Sequence, residues 1–273
     1  MKLFYRFYPN NNEPQNQNDL NNKQNPKTII ILHGLFGSSK NWISISKELS
    51  NHFNVYALDL RNHGDSPHST QFSLLDMVDD LEEFLLDHKI DSPILLGHSM
   101  GGLVVMLYTL TKKSIEPNQI IIQDIAPRAY PFIYDNEVKS MKIDVASANS
   151  RSEVDLWMSE YVEDSFIRQF LQMNLERKAD SGYYWKLNID SIANSRKLFD
   201  SVFKDNNFPI SKVKALFLLG GDSPYIQPED NDTILSYFPE AIIEIIPGGG
   251  HYIQFTHNVE FMKKIFSFLN LSE

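Results

Sequence analysis

The sequence predicts an α/β fold: a mostly parallel sheet wound with helices on both sides and interrupted by a helical insertion. Three observations carry this. Short apolar runs rich in β-branched residues recur along the chain and are nearly continuous, as strands buried on both faces are. Amphipathic stretches with helical spacing lie between the early runs. The rhythm then stops over residues 127–210 and resumes, so that 1–126 and 211–273 read as one sheet-forming unit split by an insertion. A chain of 273 residues is ordinary for one such unit with an added segment.

In chain order, Met1–Tyr8 reads as a first strand. Residues 10–26 are rich in Asn and Gln, with Leu20 their only large apolar residue, and cannot bury enough to offset their ordering entropy; they read as a surface loop. The apolar runs that follow are Ile29–Leu32, Val55–Leu58, Pro93–Leu96, Ile120–Ile122, Val213–Leu219 and Ile242–Ile246. Between them, Trp42, Ile45 and Leu49 share one helical face. Over 73–88 a stripe of Leu74, Val78, Leu81 and Leu85 follows a capping box of Ser73 with Asp76. The insertion, polar and rich in helix formers and aromatics, shows no strand of the sheet type. Its simplest place is as a cap over the C-terminal edge of the sheet, where doubly wound folds bind ligands.

Composition narrows the function. Acidic residues outnumber basic ones by 35 to 25, which argues against nucleic acid and against anionic membranes as partners. The absence of cysteine excludes disulfides, thiolate metal sites and a Cys nucleophile. No apolar run approaches the ~18 residues of a membrane helix. The first residues match neither a signal peptide nor a presequence, so the cytoplasm is the expected location. No phosphate-binding glycine motif follows any strand, and Arg61-Asn62-His63-Gly64-Asp65-Ser66 matches no zinc spacing and reads as a polar turn fixed by its Gly and Asp. No cofactor and no metal are therefore expected. Oligomeric state leaves no trace in the sequence.

The chemistry centres on Gly97-His98-Ser99-Met100-Gly101, set between the run Pro93–Leu96 and an apolar helix over Leu103–Leu110. Such a strand-turn-helix context makes G-x-S-x-G a nucleophile elbow. The Ser sits on a strained turn at a helix N-terminus, and its neighbours two residues away must lack a Cβ. His33-Gly34-Leu35-Phe36-Gly37, after Ile29–Leu32, reads as the oxyanion loop, with the amides of Leu35 and Met100 as donors and Phe36 as a weaker alternative to Leu35. His33 itself reads as structural, bonding loop carbonyls. Of eight histidines, His251 and His257 lie downstream of Ser99, where the base belongs in the order Ser…Asp…His. His251 follows three glycines after the last strand and is the candidate base; an imidazole accepts and returns a proton near neutrality.

The acid is less regular. Counting from Gly220 or from Pro228, the expected carboxylate falls at or beside Ser223, which cannot hold an imidazolium electrostatically. Asp124 ends the run Ile120–Ile122 at the same sheet edge and is the first candidate, because a buried carboxylate needs a partner such as the imidazole Nδ1–H. Asp222 and Asp190 remain alternatives.

With these motifs placed, the chain resembles the YbfF-type esterases of bacteria and the eukaryotic ABHD11-like hydrolases of the α/β-hydrolase superfamily. The matching words are HGLFGSSKNW at 33–42, DLRNHGDSPH at 59–68, GHSMGG at 97–102, QDIAP at 123–127, LLGGDSPY at 218–225 and GGGH at 248–251. The resemblance implies a helical cap, an acid after the earlier strand (Asp124), and hydrolysis of esters of short or medium acyl chains, with acyl-CoA thioesters as further substrates; it also leaves a mitochondrial location open. Where this chain has Asp222 that branch carries Asn, which keeps Asp222 as a rival, and the Asn-rich stretch at 10–26 departs as well. Two other functions fit the same residues: a carbon–carbon bond hydrolase or lyase on the same triad, and a non-catalytic acyl-binding module. A dehalogenase would need a carboxylate in place of Ser99.

Overall fold

The computed structural model describes residues 1–12, 27–111, 114–200, 202–205 and 208–271. Most of the Asn-rich stretch lies outside the described residues. Seven strands form the main sheet: β1 (Tyr5–Tyr8), β2 (Thr28–Leu32), β3 (Asn54–Leu58), β4 (Ile94–His98), β5 (Gln119–Gln123) and, after the insertion, β8 (Lys214–Gly220) and β9 (Ile242–Ile246). Their spatial order is β1-β3-β2-β4-β5-β8-β9, parallel throughout except for β1, which runs antiparallel to β3 at one edge. Parallel strands aim all their C-terminal ends the same way, so the loops after β2, β4, β5, β8 and β9 gather along one rim.

Side chains of β2 alternate between two cores. Ile30 and Leu32 join α2 (Leu74–Asp87) and α3 (Met100–Thr111) on one face. Ile29 and Ile31 join α1 (Ile43–Leu49) and the last helix on the other. All four are fully buried, and each such side chain contributes roughly 1.5–3 kcal/mol. The helix expected over 41–53 is a short 3-10 turn, Ser39–Trp42, leading into α1. The capping box at α2 is present, with the Asp76 amide donating to Ser73 Oγ at 3.1 Å and the Ser73 amide to Asp76 Oδ2 at 3.0 Å. The first strand is shorter than Met1–Tyr8, and β4 starts after Pro93, which has no amide hydrogen to pair.

The insertion contains α4 (Asp135–Met141), α5 (Arg151–Met158), α6 (Ser165–Gln172), α7 (Ile189–Asn194) and α8 (Val202–Asp205). It also holds a two-stranded antiparallel hairpin, β6 (Leu175–Arg177) with β7 (Tyr183–Trp185), outside the main sheet. Three-residue strands are too short to display an alternating pattern, so the hairpin left no mark in the sequence. The chain closes with α9 (Asp230–Tyr237), α10 (Ile253–Thr256) and α11 (Asn258–Phe268).

The polar turn at 61–66 is fixed differently from the sequence expectation. Gly64 adopts φ +55, as a turn glycine should, but the carboxylate that organises the turn is that of Asp59, which accepts the amides of Ser39 at 2.6 Å and Asp65 at 2.8 Å. Asp65 instead faces outward and pairs with Lys186 of the insertion. Arg61 turns inward and forms a two-pronged bond to Asp80 on α2, at 2.6 and 2.8 Å, with both side chains buried. Asp80→Ala would take the two-pronged partner from the buried guanidinium and leave it Asp76 at 3.3 Å and the carbonyls of Gln71 and Asp76. We expect a loss of about 3–5 kcal/mol in unfolding free energy by urea titration; a loss below about 1 kcal/mol would show the pair to be dispensable.

Candidate active site

The elbow is as tight as its motif requires. Ser99 falls between β4 and α3 with φ +52, a left-handed conformation costing a β-carbon residue roughly 1–3 kcal/mol. Neighbouring backbone holds it there: its amide donates to the Gln123 carbonyl and its carbonyl accepts from Leu103, both at 3.0 Å. A Cβ on Gly97 would come within 2.4 Å of the Gly101 carbonyl oxygen, and one on Gly101 within 2.4 Å of the Leu32 carbonyl oxygen. The helix begins at Met100, three residues before the apolar run suggested, since the turn leads into α3 without a linker. The Ser99 hydroxyl opens into a cavity of about 370 Å³.

Asp124 occupies the equivalent position one strand over, directly after β5, again with a positive φ of +53. Its carboxylate is completely buried and receives three donors. Oδ1 accepts the Gly220 amide at 2.8 Å; Oδ2 accepts the Ser223 hydroxyl at 2.5 Å and His251 Nδ1 at 2.6 Å. Ser223 thus stands where the spacing predicts a carboxylate and donates to Asp124 instead. His251 reaches Asp124 because the loop after β9 packs on the end of β8: a Cβ on Gly220 would meet the carbonyl oxygens of Gly249 and Gly250 at 2.5 Å. The Tyr225 ring stacks on the imidazole, with centroids 3.9 Å apart. The His251 carbonyl accepts His98 Nε2 at 3.0 Å and Gln123 Nε2 at 3.4 Å.

With Nδ1 bonded to the buried carboxylate, His251 keeps Nε2 without a hydrogen-bond partner among the described residues. Ser99 and His251 line the same cavity, although among the described residues no hydrogen bond joins the hydroxyl to the ring. Free enzymes commonly complete that link only when substrate is bound. The two alternative acids lie elsewhere. Asp222 is exposed, tied down by its amide to the Gly249 carbonyl at 2.8 Å. Asp190 is an exposed residue of α7, paired with Lys142 at 2.9 Å. His257, the other downstream histidine, is bonded to Thr256 at the start of α11.

The loop after β2 lies against the elbow, a Cβ on Gly34 falling 3.0 Å from His98 Nδ1 and 3.2 Å from Ser99 Cβ. A turn closes it, the Gly37 amide donating to the Gly34 carbonyl at 2.9 Å. The Phe36 amide donates to His63 Nε2 at 3.3 Å, whereas among the described residues no hydrogen bond uses the amides of Leu35 or Met100. Of the two candidates in this loop, Leu35 is therefore the one left with a donor for the cavity. His33 is structural as expected: Nδ1 donates to the Gly34 carbonyl at 2.8 Å and Nε2 accepts the Leu60 amide at 3.0 Å. His63 works likewise, donating from Nδ1 to the Arg61 carbonyl at 2.8 Å.

Residues 27–258 match the profile of the family described as the alpha/beta hydrolase fold. The chain belongs to the α/β-hydrolase family. It is 33% identical over 267 residues to the mouse sn-1-specific diacylglycerol lipase ABHD11, covering 94% of this chain and 85% of that one. It is 29% identical to Esterase YbfF of Escherichia coli K12, covering 91% and 95% of the two chains. A solved structure titled marine microorganism esterase superposes with a TM-score of 0.87 at 34% identity, over 98% of this chain and 99% of the other. These relatives make the protein a hydrolase, and the resemblance read from its motifs stands. Among the described residues no helix is long and apolar enough to cross a membrane, and none of their His, Asp and Glu side chains group in a way that could hold a metal ion.

Burial keeps the supporting histidines neutral. It pushes His33 down to about 4, His63 down to about 3, and His98 well below the ordinary histidine value. Each binds a proton in the unfolded chain below about pH 6.5 but not in the folded one, so stability is full above that pH and falls as the medium is acidified. We expect the unfolding free energy to drop between pH 6.5 and 5 by up to about 1.4 kcal/mol per pH unit for each of these fully buried rings. Urea titrations giving the same unfolding free energy at pH 7 and pH 5 would contradict the neutral assignment.

Proposed function

We propose that the protein is a carboxylic-ester hydrolase working through Ser99, His251 and Asp124. The observation that carries this is the His251–Asp124 hydrogen bond, formed by a fully buried carboxylate beside a strained, cavity-facing Ser99. Ser99 Oγ attacks the acyl carbonyl while His251 Nε2 takes its proton, and Asp124 holds the resulting imidazolium. The amides of Leu35 and Met100 receive the oxyanion. The tetrahedral intermediate collapses, the alcohol leaves with the proton from His251, and water repeats the sequence to release the acid. The insertion, taken as 127–210, acts as the cap: Phe166, Ile167, Phe170 and Leu171 supply the apolar wall for the acyl chain.

Cavity size and charge support a substrate class. About 370 Å³ lies near the low end of the ~300–1,000 Å³ of small-ligand sites, which suits a short or medium acyl chain. Among the described residues the wall includes Glu137 and Asp164 and no lysine or arginine. No cation pairs with Glu137 among the described residues. Such a wall favours a neutral ester over an acyl-CoA with its phosphates. The names of the relatives, an esterase and a lipase acting on a neutral diacylglycerol, fit that preference.

A fluorophosphonate should label Ser99 and fail to label Ser99→Ala. In a p-nitrophenyl ester series from acetate to decanoate, Asp124→Asn should lower kcat by about 10³-fold or more, with Asp222→Asn near wild type. Equal activity of wild type and Asp124→Asn would remove Asp124 from the triad, and a wild type that releases no p-nitrophenol would overturn the ester-hydrolase reading in favour of the carbon–carbon bond hydrolase or the acyl-binding module. Separately, Glu137→Gln should raise the ratio of kcat/KM for butyryl-CoA to that for p-nitrophenyl butyrate. An unchanged or lower ratio would discard the charge argument.

A further inference from the structure

Phe36 is a non-glycine residue at φ +61 in the middle of the loop that carries the Leu35 amide. That conformation persists only where surroundings impose it. Here they come from two distant parts of the chain. The core takes the Phe36 amide through His63 Nε2 at 3.3 Å. The insertion takes its carbonyl through Asn174 Nδ2 at 2.6 Å and packs Tyr134 edge-on against its ring at 5.7 Å.

We propose that Asn174 is a positioning residue for the oxyanion hole, acting from the insertion through the Phe36 carbonyl. The proposal rests on the hydrolase reading above. Asn174 is 2% exposed and does not itself line the cavity, so its side chain acts through Phe36, which does, and not on a ligand. It is itself rigidly placed just after α6. Its amide donates to the Leu171 carbonyl at 3.0 Å and its carbonyl accepts the Lys186 amide at 2.9 Å. Arg151 binds the carbonyls on either side of the segment, Gln172 and Leu175, at 2.5 Å each. A fixed donor thus pins one peptide plane of the 34–37 turn, and the turn moves as a unit because Gly37 closes on Gly34. Without Asn174 the Phe36 carbonyl loses a buried partner, the strained residue relaxes, and the Leu35 amide swings off the line to the oxyanion. A small misplacement of such a donor is costly because its value lies in preorganisation.

The test compares wild type, Asn174→Ala and the isosteric Asn174→Asp, each checked for folding by circular dichroism. Two quantities are read with the full chain: kcat and KM for p-nitrophenyl butyrate, and the inhibition constant of an alkyl trifluoromethyl ketone, whose hemiketal oxygen occupies the oxyanion position. We expect kcat to fall about tenfold or more, ketone affinity to fall by a similar factor, and KM to stay within about twofold. A general loosening of the pocket would instead raise KM and leave kcat in place, and that result overturns the proposal. So does retention of both kcat and ketone affinity within about twofold of wild type. Failure of both variants to fold would assign Asn174 to stability and overturns it too. A wild type without esterase turnover or Ser99 labelling is a different failure, that of the hydrolase reading itself.

Discussion

The site depends on one buried carboxylate. A carboxyl group with no exposed surface is tolerable only when its oxygens are met by partners, and those of Asp124 are met from three separate segments: the end of β8 through Gly220, the following loop through Ser223, and the loop after β9 through His251. Each partner is held in place by the demand that the carboxyl group be satisfied. The backbone adds its own tie, the Asp124 amide donating to the Leu218 carbonyl at 2.9 Å. The same bonds that make the carboxylate tolerable therefore fix the imidazole on the wall of the cavity that Ser99 also lines.

Strand pairing explains how a candidate acid on β5 can reach the candidate base after β9. Strands β5 and β8 are neighbours in register, with Gln123 opposite Leu218, so a carboxylate leaving the end of either can reach the same space. Occupied from β5, that space leaves room on the β8 side for a small hydroxyl donor. Ser223 fills it, and its own oxygen accepts the Tyr225 amide at 3.2 Å. That turn places Tyr225 with its ring against His251. A carboxylate at position 223 would set two charges against each other in a dry site.

Much of this was legible in the sequence, and the limits follow from range. Buried strands and amphipathic helices are local patterns, so their runs mark the sheet to within a residue or two: Ile242–Ile246 coincides with β9, and Ile120–Ile122 lies one residue inside β5 at each end. The motif around Ser99 is local too. The supports of the site are not. Ser223 meets Asp124 across 99 positions, His63 meets Phe36 across 27, and Asn174 meets Phe36 across 138. Nothing in the residues around Asn174 distinguishes it from any polar residue that ends a helix. His63 and Ser223 did stand out, one in a polar turn and the other in the place of an acid. Their hydrogen bonds, however, are set by the tertiary fold.

The turn at 59–66 shows what such a reading misses when it stops at local geometry. Seen alone, it is a polar bend closed by a glycine. In the fold, it is where core and insertion are joined: the Asn62 carbonyl accepts the Asn188 amide at 3.0 Å, its side chain meets Ser191 and Asn188, and Asp65 pairs with Lys186. Its other side holds the candidate oxyanion loop and the turn after it, through His63 to Phe36 and through Asp59 to the Ser39 amide. The insertion reaches that same loop directly from α6 and β6, where Asn174 binds Phe36 and Glu176 binds Lys40. Two independent routes therefore connect the insertion to the backbone beside Ser99. A cover attached only by its ends could open and close without disturbing the elbow. This one shares hydrogen bonds with the loop beneath it, so its seating and the geometry of the candidate oxyanion hole are one mechanical problem.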